Sequence, residues 1–548
     1  MTGWRLRVTG LALLAGAAAL AGPALAAGPA AMLQPVRTQQ GQVMGTAGEA
    51  PGVTVFKGIP FAAAPVGALR FQPAAPPKAW TGVRDANKWG DTCIQPSGKT
   101  RPIGVNQALD MPDSPKASED CLNLNVWTPA KKAGAKLPVM VWFYGGAYAE
   151  GGGSMPFANG ANLASKGVIV VSLNYRVGPF GFLSTPELSA SSPHHASGNQ
   201  ALSDSIAALK WVKANIAAFG GDPSNVTIFG QSAGACITAA LVGSPVAKGL
   251  FHKAISESGA WAGLTAAKMV TREEAEKRSA EALDKLGVHS LAELQALPAD
   301  QVAKLGRAQG IIVDGWIVPE DQSITFANGR QNKVPVLLGS NGNEGGSFSF
   351  GPPVTLASWQ AGAAQRWKDL ADMGMRAYPA TTDAQAKIAA TRPFTDGIAW
   401  FMHLYASDQA KVGQPAYLYQ FVRTPASAPG KTNGGASHAS ELAYVFNNLD
   451  KPREVPDNSD PAVVSQSAPD VKLADQISSY WVNFAKTGNP NYSGAPTWPQ
   501  VTKLARNQAF LLDVGSHVGD TMTPEQVALY DALYDRDVAK PLGITSWK

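Results

Sequence analysis

Short runs of β-branched and aromatic residues recur along the chain at 139–144, 168–173, 226–229, 336–338, 417–422 and 510–512, and they read as strands. Between the second and third run, Ile206, Leu209, Val212, Ile216 and Phe219 recur at steps of three and four residues. That is the period of a helix with one apolar face. Strands alternating with helices predict an α/β class, with a mostly parallel sheet covered on both faces. Residues 271–286 are charged on most faces, acidic first and basic later, and predict a surface helix. Pro, Gly and Ser gather at 72–77, 184–198, 424–437 and 452–469, which predicts long surface loops. No fixed-period repeat or low-complexity linker divides the chain, so residues 27–548 read as one large domain with loop insertions.

The first 26 residues differ from the rest. Arg5 and Arg7 precede an apolar run from Leu11 to Leu20, followed by Pro23 and Ala24-Leu25-Ala26. This order is that of a secretory signal, with cleavage expected after Ala26 and export to the periplasm or the medium. The run is mostly Ala and Gly, Pro23 breaks it, and no second apolar stretch reaches spanning length. No stable membrane insertion is therefore expected after cleavage. The net charge of +5 includes Arg5 and Arg7, so it falls to +3 once the signal is gone. With no basic cluster besides, the balance argues against a nucleic-acid partner. Cys93, Cys121 and Cys236 are the three cysteines. In an exported chain the first two suit a disulfide closing a loop of about 28 residues, worth about 3–4 kcal/mol in the loop-entropy model. Cys236 falls in an apolar helical stretch and reads as a small buried thiol.

The chemistry enters at Gly230-Gln231-Ser232-Ala233-Gly234. The strand-like 225–229 runs into this G-x-S-x-G pentapeptide, and a helix-compatible 235–241 follows. A sharp turn forces the central residue into a strained conformation and leaves room only for small flanking residues. The hydroxyl of Ser232 then projects above the sheet, and the following helix aims its first amides at developing negative charge. A serine needs a base to take its proton. Seven histidines are available: His194, His195, His252, His289, His403, His438 and His517. Chemistry alone does not choose among them, although His438 has a suggestive setting after the Gly434-Gly435-Ala436-Ser437 stretch. His194-His195 lacks the carboxylate or cysteine spacing of a metal site and reads as a solvated loop.

At this point the chain resembles the type-B carboxylesterase family, which includes the cholinesterases. The resemblance extends over most of residues 27–548. It rests on Phe56-Lys57-Gly58-Ile59-Pro60, Glu119-Asp120-Cys121-Leu122-Asn123-Leu124-Asn125-Val126, Ser172-Leu173-Asn174-Tyr175-Arg176, Phe219-Gly220-Gly221-Asp222-Pro223, Val313-Asp314-Gly315 and Trp481-Val482-Asn483-Phe484-Ala485-Lys486-Thr487-Gly488-Asn489-Pro490. It implies an α/β-hydrolase fold with a large, mostly parallel sheet and a serine–acid–histidine order. The N-x-x-E-G-like segment Asn341-Gly342-Asn343-Glu344-Gly345 makes Glu344 the implied acid. His438, ahead of Glu441-Leu442-Ala443-Tyr444-Val445-Phe446, becomes the implied base. Tyr144-Gly145-Gly146-Ala147-Tyr148 stands where the family carries H-G-G-G, so Gly146, Ala147 and Ala233 are the implied oxyanion-hole amides. The resemblance also implies that Cys93 pairs with Cys121 and that Ser258 supports the acid.

These parts imply hydrolysis of a small-molecule carboxylic ester through a covalent acyl-enzyme, without a metal or organic cofactor. Amides, lactones and acyl transfer to an alcohol are alternatives on the same triad. A non-catalytic binding or adhesion protein is disfavoured because all three triad positions match. Residues 108–118 hold no aromatic side chain where cholinesterases carry a cation-binding Trp, and Gln231 replaces the family's common Glu before the serine. Both departures argue against choline esters. Tyr148, Trp261, Trp316 and Phe348 are candidate pocket walls.

Overall fold

All six apolar runs are strands of one eleven-stranded sheet. The computed structural model describes residues 32–95, 115–306, 309–348, 353–425, 435–451 and 466–547. The expected signal segment and parts of the loops expected at 424–437 and 452–469 lie outside them. In chain order the strands are β1 (Thr46–Ala47), β2 (Thr54–Pro60), β3 (Asn123–Thr128), β4 (Leu137–Phe143), β5 (Ile169–Leu173), β6 (Gly221–Gln231), β7 (Lys253–Glu257), β8 (Val336–Asn341), β9 (Ala416–Phe421), β10 (Gln508–Leu512) and β11 (His517–Asp520). Their order across the sheet is β11-β10-β9-β8-β7-β6-β4-β5-β3-β2-β1. The strands from β5 through β10 in that order run parallel, and antiparallel pairs close both edges. Every residue of β5, β8 and β9 is buried, as strands covered on both faces must be.

The predicted amphipathic helix is α1 (Gln200–Asn215), and its apolar step continues through a tightened turn at Ile216–Phe219. Helix α2 (Ala233–Gly243) follows β6 directly and is buried at every residue. The charged segment is α3 (Arg272–Asp284), started by a reciprocal capping box between Thr271 and Glu274. It buries only Ala275, Ser279 and Leu283. Two longer helices, α4 (Asp383–Lys411) and α5 (Ala468–Thr487), lie against β8 and β9 and against β4 and β6 respectively. No helix among the described residues is long and apolar enough to cross a membrane.

The loop expected at 184–198 contains a short helix, Pro186–Ser191, with Thr185 as its cap. Pro186 is a start signal here, because the first helical position needs no N–H. Cys93 and Cys121 are joined by a disulfide, and Cys236 is free and buried. Burial pushes the Cys236 thiol up to about 12, which keeps it protonated and unreactive at neutral pH.

Candidate active site

The carboxyl ends of β4, β6, β8 and β9 converge on one region, the usual place for chemistry in an open parallel sheet. At the end of β6, Ser232 caps α2 with φ 55° and ψ −124°, a strained conformation for any residue with a side chain. Its N–H donates to the Glu257 carbonyl at 2.8 Å, and its carbonyl accepts from Cys236 at 3.0 Å. The flanking glycines are required by close packing. A Cβ on Gly230 would stand 2.5 Å from the Gly234 backbone, and one on Gly234 would stand 2.0 Å from the Phe143 carbonyl oxygen. The strand and helix pass so closely that only hydrogen fits on either side of Ser232.

Glu344 follows β8 and is fully buried. Its Oε1 accepts from Ser258 Oγ at 2.5 Å and from the Asn341 N–H at 2.7 Å. Its Oε2 meets His438 Nδ1 at 2.5 Å. The loop carrying His438 is stitched to the loop carrying Glu344, since the Asn343 N–H donates to the Ala436 carbonyl and the His438 N–H donates to Ser347 Oγ. The Phe348 ring packs edge-on against the His438 ring, with 5.0 Å between centroids. With a proton on Nδ1 facing the carboxylate, Nε2 of the imidazole is an acceptor. Its partner is the Gln231 side-chain amide at 3.2 Å.

The third component is the turn after β4. Gly146, Ala147 and Tyr148 have φ of 116°, 52° and 63°, so the turn curls left-handed over three residues. Gly145 packs against Ser232, with room for a Cβ only 3.1 Å from the Ser232 Cβ. Among the described residues, the N–H groups of Gly146, Ala147 and Ala233 donate to no protein acceptor, which leaves all three for a ligand oxygen.

Two more carboxyl groups lie behind these residues. Glu441 is fully buried, and its Oε2 accepts from Asn341 Nδ2 at 2.7 Å. Burial, reinforced by the charge of Glu344, raises it to about 7. Glu257 accepts from the Trp481 indole at 2.7 Å, and burial with the Glu441 charge pushes it well above the usual carboxyl range. Sequence reasoning did not assign either a role. Nothing local marks them, because their partners lie far along the chain, Asn341 at the end of β8 and Trp481 on α5.

The candidate pocket walls separate into three groups. Phe348 touches His438, and Tyr148 sits on the turn after β4 with its ring against Phe182. Trp261 is a core residue, packed on Phe326, Phe401 and Tyr405 with its indole donating to Ser323. Trp316 stacks on His194 and lines a cavity of about 360 Å³ that includes none of Ser232, Glu344 and His438. Residues 108–114 of the segment without aromatic side chains lie outside the described residues.

A profile of the carboxylesterase family matches residues 33–530. The chain is 37% identical to fumonisin B1 esterase of Sphingopyxis macrogoltabida, over 89% of this chain and 88% of that protein. It is 38% identical to para-nitrobenzyl esterase of Bacillus subtilis, over 87% of this chain and 94% of that one. The solved carboxylesterase of Geobacillus stearothermophilus superposes with a TM-score of 0.76 at 33% identity, covering 90% of this chain and 99% of its own. With its α/β-hydrolase fold, the chain belongs to the carboxylesterase family, serine hydrolases that act on carboxylic esters.

Proposed function

We propose that Ser232, His438 and Glu344 form the catalytic triad, and that hydrolysis passes through an acyl-Ser232 intermediate. The observation that carries this reading is the contact of His438 Nδ1 with the buried Glu344, beside a serine held at positive φ. Glu344 fixes the ring with its second nitrogen as an acceptor. His438 takes the Ser232 proton as Oγ attacks the ester carbonyl, and the imidazolium is stabilised by the carboxylate. The amides of Gly146, Ala147 and Ala233 receive the oxyanion, where one donor is typically worth about 3–4 kcal/mol. His438 then protonates the departing alcohol. Water repeats the sequence on the acyl-enzyme and releases the acid.

The substrates are small-molecule carboxylic esters without a quaternary ammonium group, since Gln231 leaves the serine without the neighbouring negative charge. The leader at 1–26 supports export to the periplasm or the medium. Ser232→Ala is expected to abolish both hydrolysis of short-acyl esters and labelling by an organophosphorus probe. Labelling that persists at another residue refutes the assignment. His438→Ala is expected to reduce turnover by several orders of magnitude. His194→Ala, which removes only a stacking partner of Trp316, leaves turnover within a few-fold.

A further inference from the structure

Gln231 directly precedes the nucleophile and is buried, with its side chain between the turn after β4 and the His438 ring. Neutral His438 has one in-plane lone pair on Nε2, and the Gln231 amide is within donating distance of it at 3.2 Å. Ser232 Oγ, which must deliver its proton to the same lone pair, makes no hydrogen bond among the described residues. The two groups compete for one acceptor.

We propose that Gln231 is a positioning residue that donates to Nε2 of neutral His438 in the resting enzyme, yields that lone pair to Ser232 when substrate binds, and so extends activity to lower pH. This inference rests on the triad reading above. A donor to the neutral imidazole favours the neutral, working form of the base, because the imidazolium has no lone pair there to accept. A carboxylate at the same position does the reverse and holds the proton on the ring. The identity of residue 231 therefore sets how far the pH can fall before the base is lost.

The other titratable groups around His438 are accounted for. Glu344 faces Nδ1 from the end of β8. Glu441 lies three residues along the same segment as His438 and reaches it electrostatically. Glu257, at the end of β7, acts on Glu441. Tyr419, on β9, has a hydroxyl raised far above neutrality by burial, so it stays neutral. The turn residues Ser347 and Phe348 bring no charge. Gln231 is the one group hydrogen-bonded to Nε2 among the described residues.

The test is the pH dependence of kcat/KM on a neutral ester for the full-length enzyme, Gln231→Leu and Gln231→Glu. Gln231→Glu is expected to move the acid limb upward by about one pH unit or more, the usual effect of an opposite charge on a neighbouring group. Gln231→Leu, which removes the donor without adding charge, moves it upward by less. The shift also has to persist in a Glu441→Gln background. An acid limb unmoved in Gln231→Leu overturns the proposal, as does a shift that disappears when Glu441 is neutralised. Gln231→Met, which also lacks the donor, adds no charge and keeps an unbranched side chain, carries the test if the leucine variant does not fold. The triad reading fails separately, through retained turnover in His438→Ala.

Discussion

At Glu344 each carboxylate oxygen has a separate task. One faces His438, while the other is held by Ser258 and by the Asn341 backbone, so the carboxylate has no freedom to turn. Ser258 itself sits at φ 58°, a strained conformation kept by its N–H bond to the Gly339 carbonyl. Ser258→Ala removes one charge-assisted hydrogen bond, worth about 1.5–3 kcal/mol. A fall in kcat of about tenfold, with KM changed by less than twofold, is the expected outcome in steady-state kinetics. An unchanged kcat shows that the Asn341 amide alone orients the acid. The sequence announces Ser232 through its own neighbours. It yields Glu344 and His438 only through family resemblance, because an acid 94 residues from its histidine leaves no local pattern. The Gln231–His438 contact spans 207 positions and is legible only in three dimensions.

Among the elements, the junction of β6 and α2 is the most tightly constrained. Gly234→Ala places a methyl group 2.0 Å from the Phe143 carbonyl oxygen, which forces strand and helix apart at Ser232. Loss of esterase activity is expected even in variant protein that retains native circular dichroism. Gly362, on the exposed face of the helix Leu356–Trp367, has an ordinary backbone and nothing within 4 Å of the place a methyl group would occupy. Gly362→Ala is accordingly expected to stabilise by about 0.5–1 kcal/mol without touching turnover, as read from the urea midpoint. The contrast separates glycines kept for space from those that are dispensable. Periodicity exposed the β-branched strands but missed β7, whose Lys253 and Glu257 look like surface residues. Both are buried at the centre of the sheet, where Lys253 donates to Asn225 and Glu257 accepts from Trp481. β2 was obscured in the same way by Lys57, Gly58 and Pro60.

Over the whole molecule, buried titrating groups set limits on stability from both directions. The folded state raises Glu441 from the ordinary 4.5 to about 7, so it prefers the protonated carboxyl. That contribution is fully present below about 4.5 and is lost as pH rises through about 7. Burial lowers His403 from 6.5 to about 4, with the charge of Arg506 adding to the effect, so the fold prefers the neutral ring. Its contribution is present above 6.5 and is lost as pH falls through about 4. Urea midpoints followed across this range are expected to decline less steeply toward pH 7 in Glu441→Gln, and less steeply toward pH 4 in His403→Gln. Slopes identical to the parent enzyme assign the titration to other groups.

The order of these elements along the chain carries a consequence for biosynthesis. Ribosomes deliver the chain from its first residue onward, so the turn after β4 and the serine emerge long before Glu344 and His438. β10 and the helix that supplies Trp481 to Glu257 emerge later still. On the triad reading, a chain interrupted between residues 232 and 438 holds a nucleophile with no base, however well its earlier strands have paired. On that reading the serine is made well before the residues that arm it.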